Sequence, residues 1–339
     1  NLTSKVDARS ITTSYVYDAL NRVTDRNYTN EPSGSETPDV DYFYGQTAPK
    51  VGKLTKVTSS VSTTEYTGFD ILGRVTAHKQ TTDGVDYTTG YTYKLSGALD
   101  EQTYPSGRVV KNVLDNTGDL SIVQSKKNSA SGYWHFADSF TYNAAGAVTS
   151  MQLGNGRWES TQFNSRLQPT QIALGSTNTA TDLLKLNYTY NTTGNADNNG
   201  NVLSQTITVP TVGSNNGFVA VQSYSYDPLN RLKDAVENVT PTGGSSSQSW
   251  KQEFSFDRYG NRSFVTGTGH TDTLGSCTTM CNPTFDATNN RITSSGFSYD
   301  SSGNTTRDAA DRKFTYDAEN KQTKAETLSA GTNTVTGTI

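Results

Sequence analysis

The chain has 339 residues, of which 32% are hydrophobic and 10% aromatic, with a formal net charge of −4. There is no block of Lys and Arg of the kind phosphate binding needs, which argues against nucleic acid as a partner. No apolar run is long enough for a helix to cross a bilayer.

A mean hydropathy of −0.65 would suit disorder. The 19 Tyr and 12 Phe point the other way, since aromatic side chains pack well on the half-buried faces of strands. The composition reads as all-β.

In chain order, one unit recurs. YVYDALNRVT (Tyr15 to Thr24) is followed by YTGFDILGRVT (Tyr66 to Thr76), YTYKLSGAL (Tyr91 to Leu99) and FTYNAAGAVT (Phe140 to Thr149). Then come YTYNTTGN (Tyr188 to Asn195), YSYDPLNRL (Tyr224 to Leu232) and FSFDRYGNR (Phe254 to Arg262). FDATNNRI (Phe285 to Ile292), FSYDSSGNTT (Phe297 to Thr306) and FTYDAENK (Phe314 to Lys321) close the series. YFYGQ at Tyr42, VLDNTGDL at Val113 and FNSRL at Phe163 are weaker copies. Units recur every roughly 25 residues, a period typical of repeat architectures.

Aromatic-x-aromatic is the period of a strand with one packed face. The Asp or Asn that follows can accept hydrogen bonds from backbone further along and so open a turn: Asp18, Asp70, Asn143, Asp227, Asp257, Asp300 and Asp317. Three residues on stand Asn21, Gly73, Gly146, Asn230, Gly260, Gly303 and Asn320, the residue types that enter left-handed backbone most cheaply. Gly97, Gly118, Gly194 and Asn289 extend that column. A turn closed through a left-handed residue is a common hairpin loop, so each unit reads as a β-hairpin. The polar stretches Glu31 to Pro38, Ser125 to Gly132, Pro241 to Gln248 and Gly267 to Pro283 read as loops at the other ends of the hairpins. Residues 1–326 read as one array of about thirteen units, some degenerate, and 327–339 as a tail or the start of a further repeat.

Chemistry-bearing constellations are few. His78, His135 and His270 are far apart and share no ligand spacing. Cys277-Thr-Thr-Met-Cys281 suits a small local disulfide better than half a zinc site, since no second ligand pair lies nearby. Asn195-x-Asp197-x-Asn199-Gly200 starts like a calcium loop, but Thr206 stands where the last carboxylate belongs. Trp134, Trp158 and Trp250 could stack on sugars, but aromatic cross-strand packing is the better reading of them. No catalytic residue, metal or cofactor site is expected.

The tyrosine–aspartate pairs followed by GR, NR or GN resemble the RHS/YD repeats of bacterial polymorphic toxins, toxin-complex cocoon proteins, wall-associated proteins and teneurins. FNSRLQPTQI (Phe163 to Ile172) also resembles a recurring phrase of the bacterial members. The resemblance runs from Tyr15 to about Lys321 and implies a long twisted antiparallel sheet that forms part of a hollow shell. It further implies a structural, encapsulating segment of a larger secreted or cell-surface protein. The partners it implies are the rest of the same polypeptide or an enclosed toxin domain. The self-cleaving segment that toxin members carry after their repeats is not legible here. Surface adhesion or carbohydrate binding is the alternative function. The uncharged tail TLSAGTNTVTGTI (Thr327 to Ile339) favours self-association through sheet edges or folding back on its own sheet.

Overall fold

The structure, a computed structural model, describes residues 1–34, 36–192, 197–271 and 282–338. Among them there is no helix, and 26 strands carry the fold. The chain divides into two compact units, Asn1–Arg108 with Cys277–Ile339, and Val109–Ser276. The repeats alone mark no such division.

In the first unit, nine strands from Ser4–Val6 to Leu99–Thr103 pair in chain order, each antiparallel to the next. Five more, from Ser298–Tyr299 to Val335–Thr338, form a second antiparallel sheet. In the second unit, twelve strands from Val109–Leu114 to Arg262–Val265 follow the same rule. Short turns leave each strand no nearer partner than its successor, so chain order becomes pairing order.

Burial is thin. Most strand residues are half-buried, and Thr13 and Ser125 are about as buried as Ile11 or Ala173. Hydroxyls and aromatic rings therefore do much of the packing that Leu and Ile do elsewhere, which is how a chain of such low hydropathy folds.

Within the first unit, the C-terminal sheet packs on the N-terminal strands. Ala318, at the tip of the Asp317 turn, is 4% exposed and clusters with Ile11 and Tyr28. Its N–H donates to Thr37 Oγ1 at 2.8 Å, and Arg9 Nη2 donates to the Asp317 carbonyl at 2.9 Å. Arg26 Nη1 and Glu319 Oε1 form an ion pair at 2.6 Å beside them. The tail turns back: Val335–Thr338 pairs antiparallel with Gln322–Leu328.

Candidate functional site

The Asp18 turn shows how the repeat is built. The Asp18 N–H donates to the Arg22 carbonyl and the Asn21 N–H to the Asp18 carbonyl, at 2.9 and 3.0 Å. Asp18 Oδ1 accepts the N–H groups of Leu20 and Arg22, at 2.9 and 3.0 Å. Its Oδ2 accepts Arg22 Nε at 2.7 Å, so the guanidinium clips the turn from outside. The same clip recurs at Asp70–Arg74 and Asp227–Arg231, and with an amide in place of the guanidinium at Asp257–Asn261 and Asp300–Asn304. Asn143 and Asp317 accept the same pair of N–H groups.

Backbone φ is +61° at Asn21, +73° at Gly73, +80° at Gly146 and +60° at Asn230. It is +90° at Gly260, +92° at Gly303 and +62° at Asn320. After Phe285 the left-handed residue is Asn290 and not Asn289, because that loop is one residue longer: the Asp286 N–H donates to the Arg291 carbonyl, five residues on.

These bonds set the electrostatics. The Arg22 side chain and then its N–H hold the Asp18 carboxyl below the usual carboxylate range. The Asn261 amide does the same for Asp257, against some desolvation. At Asp227 burial pushes the carboxyl up, but the Arg231 N–H and guanidinium together outweigh it.

A second layer joins turns that follow a Tyr to the turn before them. The Tyr just before the turn donates its hydroxyl to the carbonyl of the first residue after the preceding turn's clip. Tyr44 reaches Val23, Tyr93 reaches Val75 and Tyr142 reaches Leu120, at 3.0, 2.8 and 2.6 Å, and Tyr226 donates to the Val202 carbonyl at 2.8 Å. Tyr190 and Tyr316 repeat the bond on Pro169 and Thr305. Tyr299 reverses it, accepting the Ile292 N–H at 2.9 Å. The clipping Arg then lies over the ring of the next repeat: Arg22 over Tyr44 at 4.2 Å, Arg74 over Tyr93 at 4.5 Å and Arg231 over Phe256 at 4.5 Å.

A β-bulge makes the reach possible. In the first hairpin Val16 faces Asp25 while Tyr17 faces Val23, which leaves Thr24 as the extra residue. Among the described residues the same register shift directly precedes the turn in eleven hairpins. Bulges bend a strand and re-aim its side chains. Sequence reasoning missed both bulge and tie. A signal for the tie was present: the aromatic next to the turn is more often Tyr than Phe, whereas the one two residues earlier varies freely.

The other candidates fall apart in space. His78 lies between Tyr66 and Tyr91, stacked on the latter at 5.8 Å. His135 pairs with Asp138, and His270 with Glu253. Among the described residues no group of three or more His, Cys, Asp or Glu could hold a metal. Cys277, Cys281, Gly194 and Asn195 lie outside the described residues. Trp158 and Trp250 are half-buried, facing Gln152 and Glu237 across strands, whereas Trp134 is 75% exposed. A trough of about 940 Å³ runs between the Asn143 and Asn164 turns, lined by Thr141, Ser160, Gln162 and Gln171 together with Ala144, Phe163 and Leu167.

Turn, clip and tie together define a tandem β-hairpin repeat protein in which a unit with Tyr before its turn is bonded to the one before it. Its fold is that of toxin-complex chains. The Photorhabdus luminescens Tc holotoxin pore superposes with a TM-score of 0.77 at 16% identity, over 97% of this chain and 18% of that one. The crystal structure of TcdB2-TccC3 gives 0.78 at 16% identity, over 97% and 18%. The form of TcdB2-TccC3 without its hypervariable C-terminal region gives 0.58 at 14% identity, over 97% and 19%. The chain thus spans about a fifth of the length of the structures it matches, and at such identity the likeness is one of fold. No protein-family model and no curated protein matches the sequence.

Proposed function

We propose that this chain is a non-catalytic wall segment of a larger secreted or surface protein of the RHS type, one that screens an enclosed toxin domain or other parts of the same polypeptide from solvent. The likeness in fold to toxin-complex chains over 97% of the chain carries the reading. The tie between successive turns supports it, because a wall needs coverage and stiffness and no reacting groups. The outer strands Ser4–Val6 and Val335–Thr338, each paired on one side among the described residues, offer backbone N–H and C=O groups to further repeats or to a second copy.

One similar structure is described as lacking a hypervariable C-terminal region, which makes the reading frame after Ile339 the place to seek the cargo. Protease protection tests the proposal. In the full-length polypeptide the array and the cargo segment should survive a broad-specificity protease that degrades the same cargo expressed alone. Cargo cut equally fast in both settings, or a reading frame with no further domain, would overturn the proposal.

A further inference from the structure

The strand Trp134–Tyr142 departs from the regular repeat in a way that the turns do not explain. Val123 faces Ala137 and Gln124 faces His135, so Phe136 is the extra residue of a β-bulge. A second extra residue follows Asp138, where Ser139 takes φ +54°. Plain alternation would turn every other side chain inward. Here Trp134, His135 and Phe136 are all exposed in succession, Trp134 at 75% and Phe136 at 52%.

The neighbouring turn is shaped to this bulge. The Gly154 N–H donates to the Phe136 carbonyl at 2.9 Å, and a Cβ on Gly154 would stand 2.4 Å from the His135 carbonyl oxygen. With Leu153 and Asn155 these residues line a cleft of about 450 Å³. Small-molecule sites span roughly 300–1,000 Å³. Asp138 Oδ2 engages His135 Nδ1 at 2.8 Å and the Ser139 hydroxyl donates to Oδ1, so the imidazole is held and its Nε2 is left for a ligand.

We propose that this cleft binds a pyranose sugar, whose C–H face stacks on the Trp134 indole while its hydroxyls bond His135 Nε2 and Asn155 Nδ2, the Asn155 Oδ1 being taken by the Arg157 N–H at 3.0 Å. The mixture of groups selects the occupant. An apolar protein segment would cover the two rings but strip water from His135 Nε2 and Asn155 Nδ2 without replacing it, a desolvation cost. A phosphate-bearing ligand would meet the Asp138 carboxylate. A sugar presents an apolar face and, at its rim, hydroxyls that both donate and accept. This site stands independently of the wall reading.

Fluorine NMR of the chain labelled with fluorotryptophan tests it, with the Trp134, Trp158 and Trp250 signals assigned through single Trp→Phe variants. The probes are N-acetylglucosamine, methyl glucoside, methyl galactoside and maltotriose. At least one should shift the Trp134 signal saturably, with a Kd of about 1 mM or tighter, and leave the other two signals in place. His135→Ala, and Asn155→Asp, which keeps the oxygen that accepts the Arg157 N–H, should each weaken that binding about tenfold, the equivalent of one lost hydrogen bond of about 1.4 kcal/mol. A Trp134 signal unmoved by all four probes would overturn the proposal, as would binding that neither variant weakens.

Discussion

Tyr44 and Phe69 stand at the same place before a repeat turn and differ by one oxygen, yet that oxygen is what joins Tyr44 to the carbonyl of Val23. Where Phe stands the ring still packs, but the bond to the previous repeat is lost. Tyr226→Phe should therefore cost about 1–2 kcal/mol, because it leaves the Val202 carbonyl without its donor in a half-buried setting; the urea unfolding midpoint measures it.

The turn carboxylates give a second expectation at this scale. Asp18, Asp227 and Asp257 all titrate below the usual carboxylate range in the folded chain. A depressed folded pKa means stability that is fully present above the unfolded value of about 3.9 and is lost as pH falls through the folded one. The unfolding midpoint should accordingly stay flat from about pH 7 to 5 and fall below about pH 4. Asp257→Asn should shrink that acid loss while keeping the turn, since Asn143 already fills the equivalent place. An acid limb unchanged by the substitution would show that other groups control it.

At the scale of the hairpin, the clipping Arg acts on two repeats at once. Arg22 closes its own turn through Asp18 and covers the Tyr44 ring of the next. A double-mutant cycle of Arg22→Ala with Tyr44→Leu should give a coupling of about 0.5–1 kcal/mol, the range of a partly exposed cation–π contact. A coupling of zero would reduce the stack to coincidence. What the sequence made legible is whatever is local. Asp18, Asn21 and Arg22 lie within one turn, so their residue types alone mark a left-handed closure. The bulge at Thr24 depends on how two strands meet, and the Tyr44 tie spans 21 residues, so neither leaves more than a preference in any single unit. The turns at Asp7–Ile11 and Asp308–Arg312 escaped notice for a related reason: Ser10 and Asp311, at +69° and +55°, take the left-handed place without being Gly or Asn.

At the scale of the whole molecule, the contact that a purely local array would lack is the one holding the C-terminal sheet to the N-terminal strands of its unit. Stability in repeat arrays is mostly a matter of nearest neighbours, so one lost contact should loosen one region. The Ala318 contact joins residues 281 positions apart, from Thr37 to Ala318, and nothing in either segment announces it. Glu319 is 14% exposed and pairs with Arg26, whose Nε has no hydrogen-bond partner. Removing that carboxylate strips the guanidinium of its counter-charge while Tyr28 and Ala318 continue to cover the site. Glu319→Ala should thus destabilise the docked sheet by about 2 kcal/mol, less than the roughly 3–5 kcal/mol for a fully buried pair because the Arg26 side chain stays 24% exposed. Hydrogen exchange gives the regional readout: amides of Arg312–Tyr316 and Gln322–Leu328 should exchange faster, while those of Leu184–Thr189 and Ser204–Val209, in the other unit, keep their protection. Equal loss of protection in both units would mean that the chain unfolds as one cooperative block and that the contact does not act regionally.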